Sequence, residues 1–184
     1  MVIETQPPIP GWPYRIAYRV VPNVDSLTRT RIIALDLEGT LISNAVSQIP
    51  RPGLYQFLHF CRNTFERIVI FTAVSEHLTR RIAGQLVLSG HAPPWFANDL
   101  EYVNWTSSYK DLAFIPGAAI EETLILDDQE DYILPGQRQF WIKVPEFDPP
   151  YLPGDDAFTA LEALLRARAV PAVNQPLVTE IVRE

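Results

Sequence analysis

Arg31-Ile-Ile-Ala-Leu-Asp-Leu-Glu-Gly-Thr-Leu41 is the stretch that decides the fold. Four apolar residues, Ile32 to Leu35, run directly into Asp36, Glu38, Gly39 and Thr40, the pattern of a buried strand that stops in a polar loop. In open α/β sheets the carboxyl ends of such strands are where ligands bind. The spacing of Asp36 and Glu38 suits one carboxylate acting on a substrate while the other handles a proton, and Gly39 relieves backbone crowding as the chain leaves the strand. Taken alone, an acidic strand end is more often solvated punctuation than a catalytic loop. Its meaning depends on what later segments bring beside it.

The pattern recurs downstream. Arg67 to Phe71 is a second apolar strand and ends in the hydroxyl of Thr72; Thr123-Leu-Ile-Leu126 is a third and runs into Asp127 and Asp128; Phe140 to Val144 is a fourth. After the first strand, Pro52-Gly53 opens a helix carrying Leu54, Phe57, Leu58 and Cys61 on one face. After the second, Ser75 is placed to cap a helix striped by Leu78, Ile82 and Leu86 and ended by Gly90. Strand, helix, strand, helix implies parallel pairing through right-handed crossovers. A last helix, capped by Asp155 or Asp156, turns Phe158, Leu161, Leu164 and Leu165 inward.

The flanks are less regular. Residues 1–13 hold four prolines and read as an extended arm. Tyr14 to Val20 alternates as a half-buried edge strand, and 22–31 connects it to the opening stretch. Residues 91–106 are aromatic and irregular, a packed connection with a short strand near Leu100 to Val103. The tail after Pro171 shows no pattern. The expected architecture is a single Rossmann-like α/β domain over 14–170, with a central, mostly parallel sheet and helices on both faces, flanked by the arm at 1–13 and a tail at 171–184.

Composition narrows the function classes. With 184 residues, 47% of them hydrophobic, the chain can bury one good core and is short for two. A net charge of −7 argues against a protein that grips nucleic acid by neutralising its phosphates, although a nucleic-acid end could still be a substrate. Cys61 is the single cysteine, so a core thiol in a reducing compartment is expected. No apolar run approaches a membrane span and the amino terminus lacks a signal-peptide pattern, so a soluble, cytoplasmic protein is expected. His59, His77 and His91 lack a partner histidine at zinc-ligand spacing, and Asp131 and Arg80-Arg81 read as solvated surface.

If the strands are parallel neighbours, Asp36 and Glu38, Thr72, and Asp127 and Asp128 converge on one sheet edge, with Lys110 in the polar loop Ser107-Ser-Tyr-Lys-Asp111 before the third strand. In that order these groups resemble the four motifs of the haloacid dehalogenase (HAD) superfamily of phosphotransferases. Asp36-Leu-Glu-Gly-Thr-Leu41 looks like the first, Thr72 the second, Lys110 the third and Asp127-Asp128 the fourth. Two further pairings narrow the likeness: Arg51-Pro-Gly-Leu-Tyr-Gln-Phe-Leu58 with Ile68-Val-Ile-Phe-Thr-Ala73, and Lys110-Asp-Leu112 with Leu124-Ile-Leu-Asp-Asp128. They are similar to the branch of small carboxy-terminal-domain phosphatases and NLI-interacting-factor-like phosphatases, over roughly residues 30–165.

That resemblance implies a phosphatase in which Asp36 attacks phosphorus and forms an aspartyl-phosphate, and Glu38 protonates the leaving group and then activates water. It implies Mg²⁺ held by the Asp36 carboxylate, the Glu38 backbone carbonyl and Asp127, with Asp128 acting through water. Thr72 would hold phosphoryl oxygens, and Lys110 would add positive charge and orient Asp36. One departure stands out: the usual second acid is Asp, and here it is Glu38, one methylene longer. Enolase-phosphatase-like members also carry Glu at this point, so acid/base work is retained and reach is what changes. Neither insertion point of the superfamily has room for a globular cap, which suits a phosphate presented on a macromolecule, a phosphoprotein ahead of nucleic-acid ends or small metabolites. A binding or scaffold protein that keeps the fold without turnover is the rival expectation.

Overall fold

A computed structural model describes residues 3–5, 14–19, 30–151, 154–169 and 177–183, with side chains described over 30–151 and 154–168. Most of the proline-rich arm, the connection at 22–29 and the first residues of the tail lie outside the described residues. Within them one sheet has the order β1 (Ile3–Thr5), β2 (Tyr14–Arg19), β7 (Leu177–Arg183), β6 (Trp141–Lys143), β5 (Thr123–Asp127), β3 (Ile32–Leu35), β4 (Arg67–Ile70). The opening stretch supplies β3, which lies between β4 and β5 and is parallel to both; β6 continues the parallel run beside β5. All four residues of β3 are buried, because it is flanked on both edges and covered on both faces.

Period-two alternation divides the sheet's side chains into two layers. Ile33 and Leu35, with Ile70, Leu124, Leu126, Ile142 and Val144, face the α-helical layer. There α1 (Leu54–Thr64), α2 (Glu76–Leu88), α3 (Trp95–Asn98) and α4 (Ala157–Ala169) contribute buried residues such as Phe57, Ile82, Phe96 and Leu161. Ala34, Val69, Ile125 and Trp141 face the other way, where short 3₁₀ turns and loops supply Leu112, Ile115 and Ile133. Helical cover therefore lies on both faces, but α-helices lie on one and short 3₁₀ segments on the other.

Several local expectations are met with changes of detail. Gly53 adopts the left-handed conformation immediately before α1, and Cys61 is fully buried within that helix. Ser75 occupies the residue before α2, yet its hydroxyl makes no capping bond. At α4 the capping acid is Asp155, whose Oδ1 accepts the Ala157 N–H at 3.2 Å. Leu100 to Val103 forms only a bridge, Ile70 with Tyr102, because a single residue of β4 reaches it. β2 is not an edge strand: β1 pairs with it on one side and β7 on the other, both antiparallel. A three-residue strand in a proline-rich segment is too short to show a period, which is why β1 escaped the sequence reading. β7, from the tail, joins β6 in parallel through Lys143 and Glu180. No helix among the described residues is long and apolar enough to cross a membrane.

Candidate active site

Register places the site. Leu35 pairs with Ile70 on one side and Leu126 on the other, so the residues after each strand emerge at one level of one edge. The Asp36 N–H donates to the Leu126 carbonyl at 2.9 Å, and the Phe71 N–H to the Leu35 carbonyl at 2.9 Å. Asp36 thus lies beside Asp127, with Thr72 just beyond β4. Lys110 arrives from the loop-covered face, where its N–H donates to the Tyr132 carbonyl at 2.6 Å. Its Nζ sits 2.7 Å from Asp36 Oδ1 and 2.5 Å from Asp127 Oδ2, in a side chain 1% exposed.

Asp128 is anchored to the nucleophile loop. Its Oδ1 accepts the Thr40 hydroxyl at 3.2 Å and its Oδ2 the Gln129 side-chain amide at 2.7 Å. Gly39 lies against the same carboxylate with φ +69°, and a Cβ there would come 2.5 Å from Asp128 Oδ2. Only glycine satisfies both that conformation and that approach. Asp127 is held by the Gln129 N–H on Oδ1 at 2.8 Å and by the Trp141 indole on its carbonyl at 2.9 Å.

The electrostatics follow from that crowding. Asp36, Asp127 and Asp128 are all buried, and each offers an oxygen within 4.8 Å of the others. Burial, then the charge of Asp36, pushes Asp127 up to about 7 against the opposing pull of Lys110. The same two causes in the same order push Asp128 up to about 6. For Lys110, burial works to lower the pKa, but Asp36 and Asp127 outweigh it and leave the ammonium favoured. Three carboxylates against one fixed cation leave negative charge uncompensated. An all-carboxylate donor set is the kind a hard divalent cation takes, so the cluster could hold a metal ion.

Glu38 is half-buried and its carboxylate stands outside that trio. Its Oε1 accepts the Ala45 N–H at 2.5 Å. The 42–50 loop that carries Ala45 is closed on itself by the Ile42–Pro50 bridge and the Ser43 N–H on the Ile49 carbonyl at 2.9 Å. Thr72 is buried; its Oγ1 accepts the Val74 N–H at 3.3 Å, which leaves the hydroxyl proton to be donated elsewhere. The Thr72 carbonyl accepts the Trp105 indole at 2.9 Å, so the aromatic connection braces the site as well as the core.

The sequence model of the NLI interacting factor-like phosphatase family matches residues 31–173. The chain belongs to that family. The match covers well over half of the chain and every residue of the site just described, and it makes the protein a phosphatase of the HAD type. No curated protein matches the chain. In this NLI interacting factor-like phosphatase, Asp36, Lys110, Asp127 and Asp128 come together, with Thr72 at the end of the adjacent strand and Glu38 on the loop side. His59, His77 and His91 are exposed, as is Asp131, and Arg80 is engaged by Glu76 and the Leu100 carbonyl. Sequence reasoning missed the supports: Gln129 on both aspartates, Trp105 on Thr72, and Arg51, treated below. The Gln129 contacts are local, one and two residues away, but Trp105 lies 33 residues from Thr72 and the Arg51 partner 104 residues away.

Proposed function

We propose that this phosphatase hydrolyses phosphate monoesters through an aspartyl-phosphate on Asp36, with Mg²⁺ in the acidic cluster. The observation that carries the reading is Lys110 bridging Asp36 and Asp127 among three buried carboxylates. The Asp36, Asp127 and Asp128 carboxylates, with the Glu38 backbone carbonyl, would hold the ion. When bound, it supplies positive charge against the anionic phosphoryl group.

The chain's own residues divide the remaining work. Lys110 occupies Asp36 Oδ1, so Oδ2 is the oxygen that attacks phosphorus in line with the departing ester oxygen. As the ester P–O bond breaks, Glu38 gives its proton to the leaving oxygen, releasing an alcohol. Glu38 then takes a proton from water as that water attacks phosphorus, the bond to Asp36 breaks and inorganic phosphate leaves. Ala45 fixes the Glu38 carboxylate through Oε1, so Oε2 is the oxygen that exchanges the proton. Thr72 donates its hydroxyl to a phosphoryl oxygen, and Lys110 offsets charge on the attacked group.

The favoured substrate is a phosphate presented on a protein. Between Thr72 and Lys110 the described chain forms α2 and α3, which pack into the core rather than over the site. The 42–50 loop is too short to cover it and carries an exposed Val46 midway along. Purified protein is expected to hydrolyse a generic aryl phosphate, to lose that activity with chelator, and to lose about 10⁴-fold or more of it in Asp36→Asn with the fold intact. Turnover that survives Asp36→Asn would end the proposal. Phosphopeptides, oligonucleotide ends and sugar phosphates assayed side by side test the substrate class, and preference for either of the latter two overturns the phosphoprotein reading.

A further inference from the structure

We infer that Arg51 is a positioning residue for the Asp128 carboxylate, acting through the backbone of Gly39 and Thr40. The inference rests on the metal-assisted reading above. The Arg51 side chain is 1% exposed, and its whole guanidinium is engaged. Nε and Nη2 donate to Asp155 Oδ1 and Oδ2, each at 3.1 Å, and Nη2 also donates to the Pro145 carbonyl at 2.8 Å. Nη1 donates to the carbonyls of Thr40 at 3.2 Å and Gly39 at 3.4 Å. The rings of Phe147 and Phe158 lie near the guanidinium carbon, with centroids at 5.3 and 5.7 Å.

Asp155 accepts only two of the five N–H donors of this buried guanidinium, and the rest must find carbonyls. The Nη1 bonds give the ion pair a direction. They grip the carbonyls of the two residues that adjoin Asp128, Gly39 by an approach that leaves no room for a Cβ and Thr40 by the hydrogen bond of its hydroxyl. The Phe147 N–H joins the grip on Gly39 at 2.8 Å. A continuous path therefore runs from the start of α4 through Arg51 and the nucleophile loop to Asp128. Planar, forked donation makes the path possible, and lysine cannot reproduce it.

Charge and geometry give opposite signs when Arg51 is replaced. Removing a buried cation near an acidic cluster tightens Mg²⁺ binding by Coulomb attraction. Releasing Gly39 and Thr40 from Asp128 weakens it, as loss of supporting contacts typically does by 10- to 100-fold in other metal sites. Mg²⁺ binding is to be measured by isothermal titration calorimetry on the metal-free full chain, for wild type, Arg51→Lys, Arg51→Met, Asp155→Asn and Asp127→Asn. Both Arg51 variants are expected to bind about tenfold or more weaker. Asp155→Asn, which keeps the bonds to the loop carbonyls, is expected to lose thermal stability while binding near wild type. Should Arg51→Met not fold, Arg51→Lys decides. Wild-type or tighter affinity in folded Arg51→Lys would overturn the inference and leave the metal reading standing. A wild type that binds no more Mg²⁺ than Asp127→Asn would overturn both.

Discussion

On the α-helical face of the sheet, Ile33 and Leu35 of β3 meet Phe57, Leu58 and Ile82 across an apolar layer. On the opposite face Ala34 and Ile125 meet Leu112, Ile115 and Ile133, and at the strand ends Asp36, just past β3, and Asp127, the last residue of β5, meet Lys110. The same two strands thus supply apolar packing in both directions and charge at one end of one face. Helices repeat every 3.6 residues and bury stripes, which suits a layer whose task is area. Loops and 3₁₀ turns carry no such constraint, so the second face can aim one lysine at two carboxylates. Stability and chemistry should therefore respond separately to changes on the two faces.

Phe57→Ala probes the helical face hardest. Phe57 is fully buried and stacks on Phe158 with centroids 4.2 Å apart and planes 8° from parallel. Truncation is expected to cost about 3–5 kcal/mol of unfolding free energy by chemical denaturation. The kcat per folded molecule on an aryl phosphate should be unchanged; a proportional fall in kcat would break the division between the faces. Lys110→Met probes the other face. Turnover is expected to drop about 10²- to 10³-fold while unfolding stays cooperative, because a fixed positive charge is removed where negative charge is handled. Wild-type kcat in that variant would mean that the loop-covered face adds nothing to the chemistry.

How much of this could be read from sequence follows the same division. Ile32 to Leu35, Ile68 to Phe71 and Thr123 to Leu126 announce themselves by unbroken apolar runs, and the acids or hydroxyls that end them mark the edge where the site lies. α1, α2 and α4 are visible from their stripes. β1 is too short to show a period, and the pairing of β7 with β2 and β6 is a long-range fact with no local trace. Residue types at the site were legible because strand ends and motif order place them; their supports were not. Nothing near Arg51 in the chain points to Asp155, and nothing near Glu38 says that its carboxylate meets the Ala45 N–H. The extra methylene of Glu38 goes with a carboxylate fastened to the 42–50 loop.

The smallest expected effect is also the one that separates the faces by kind, through pH. In the metal-free folded protein Asp127 and Asp128 stand at about 7 and about 6, against an ordinary aspartate value of 3.8. Between about pH 4 and 7 the folded chain therefore holds protons that the unfolded chain has released, so stability from these two groups is greatest at the acid end and declines as pH rises. The value of about 7 already includes the opposing pull of Lys110. Other carboxylates titrate over the same range, so the informative quantity is a difference. With chelator present, the unfolding free energy of Asp127→Asn minus that of wild type should become more positive from pH 5 to 7.5. Mg²⁺ should flatten that rise by stabilising wild type. The Phe57→Ala deficit should stay level across the same range, because its ring partners Phe60 and Phe158 carry no titratable group. A level Asp127→Asn difference would mean that burial and the neighbouring Asp36 charge do not raise Asp127, and would remove the electrostatic argument for a bound cation.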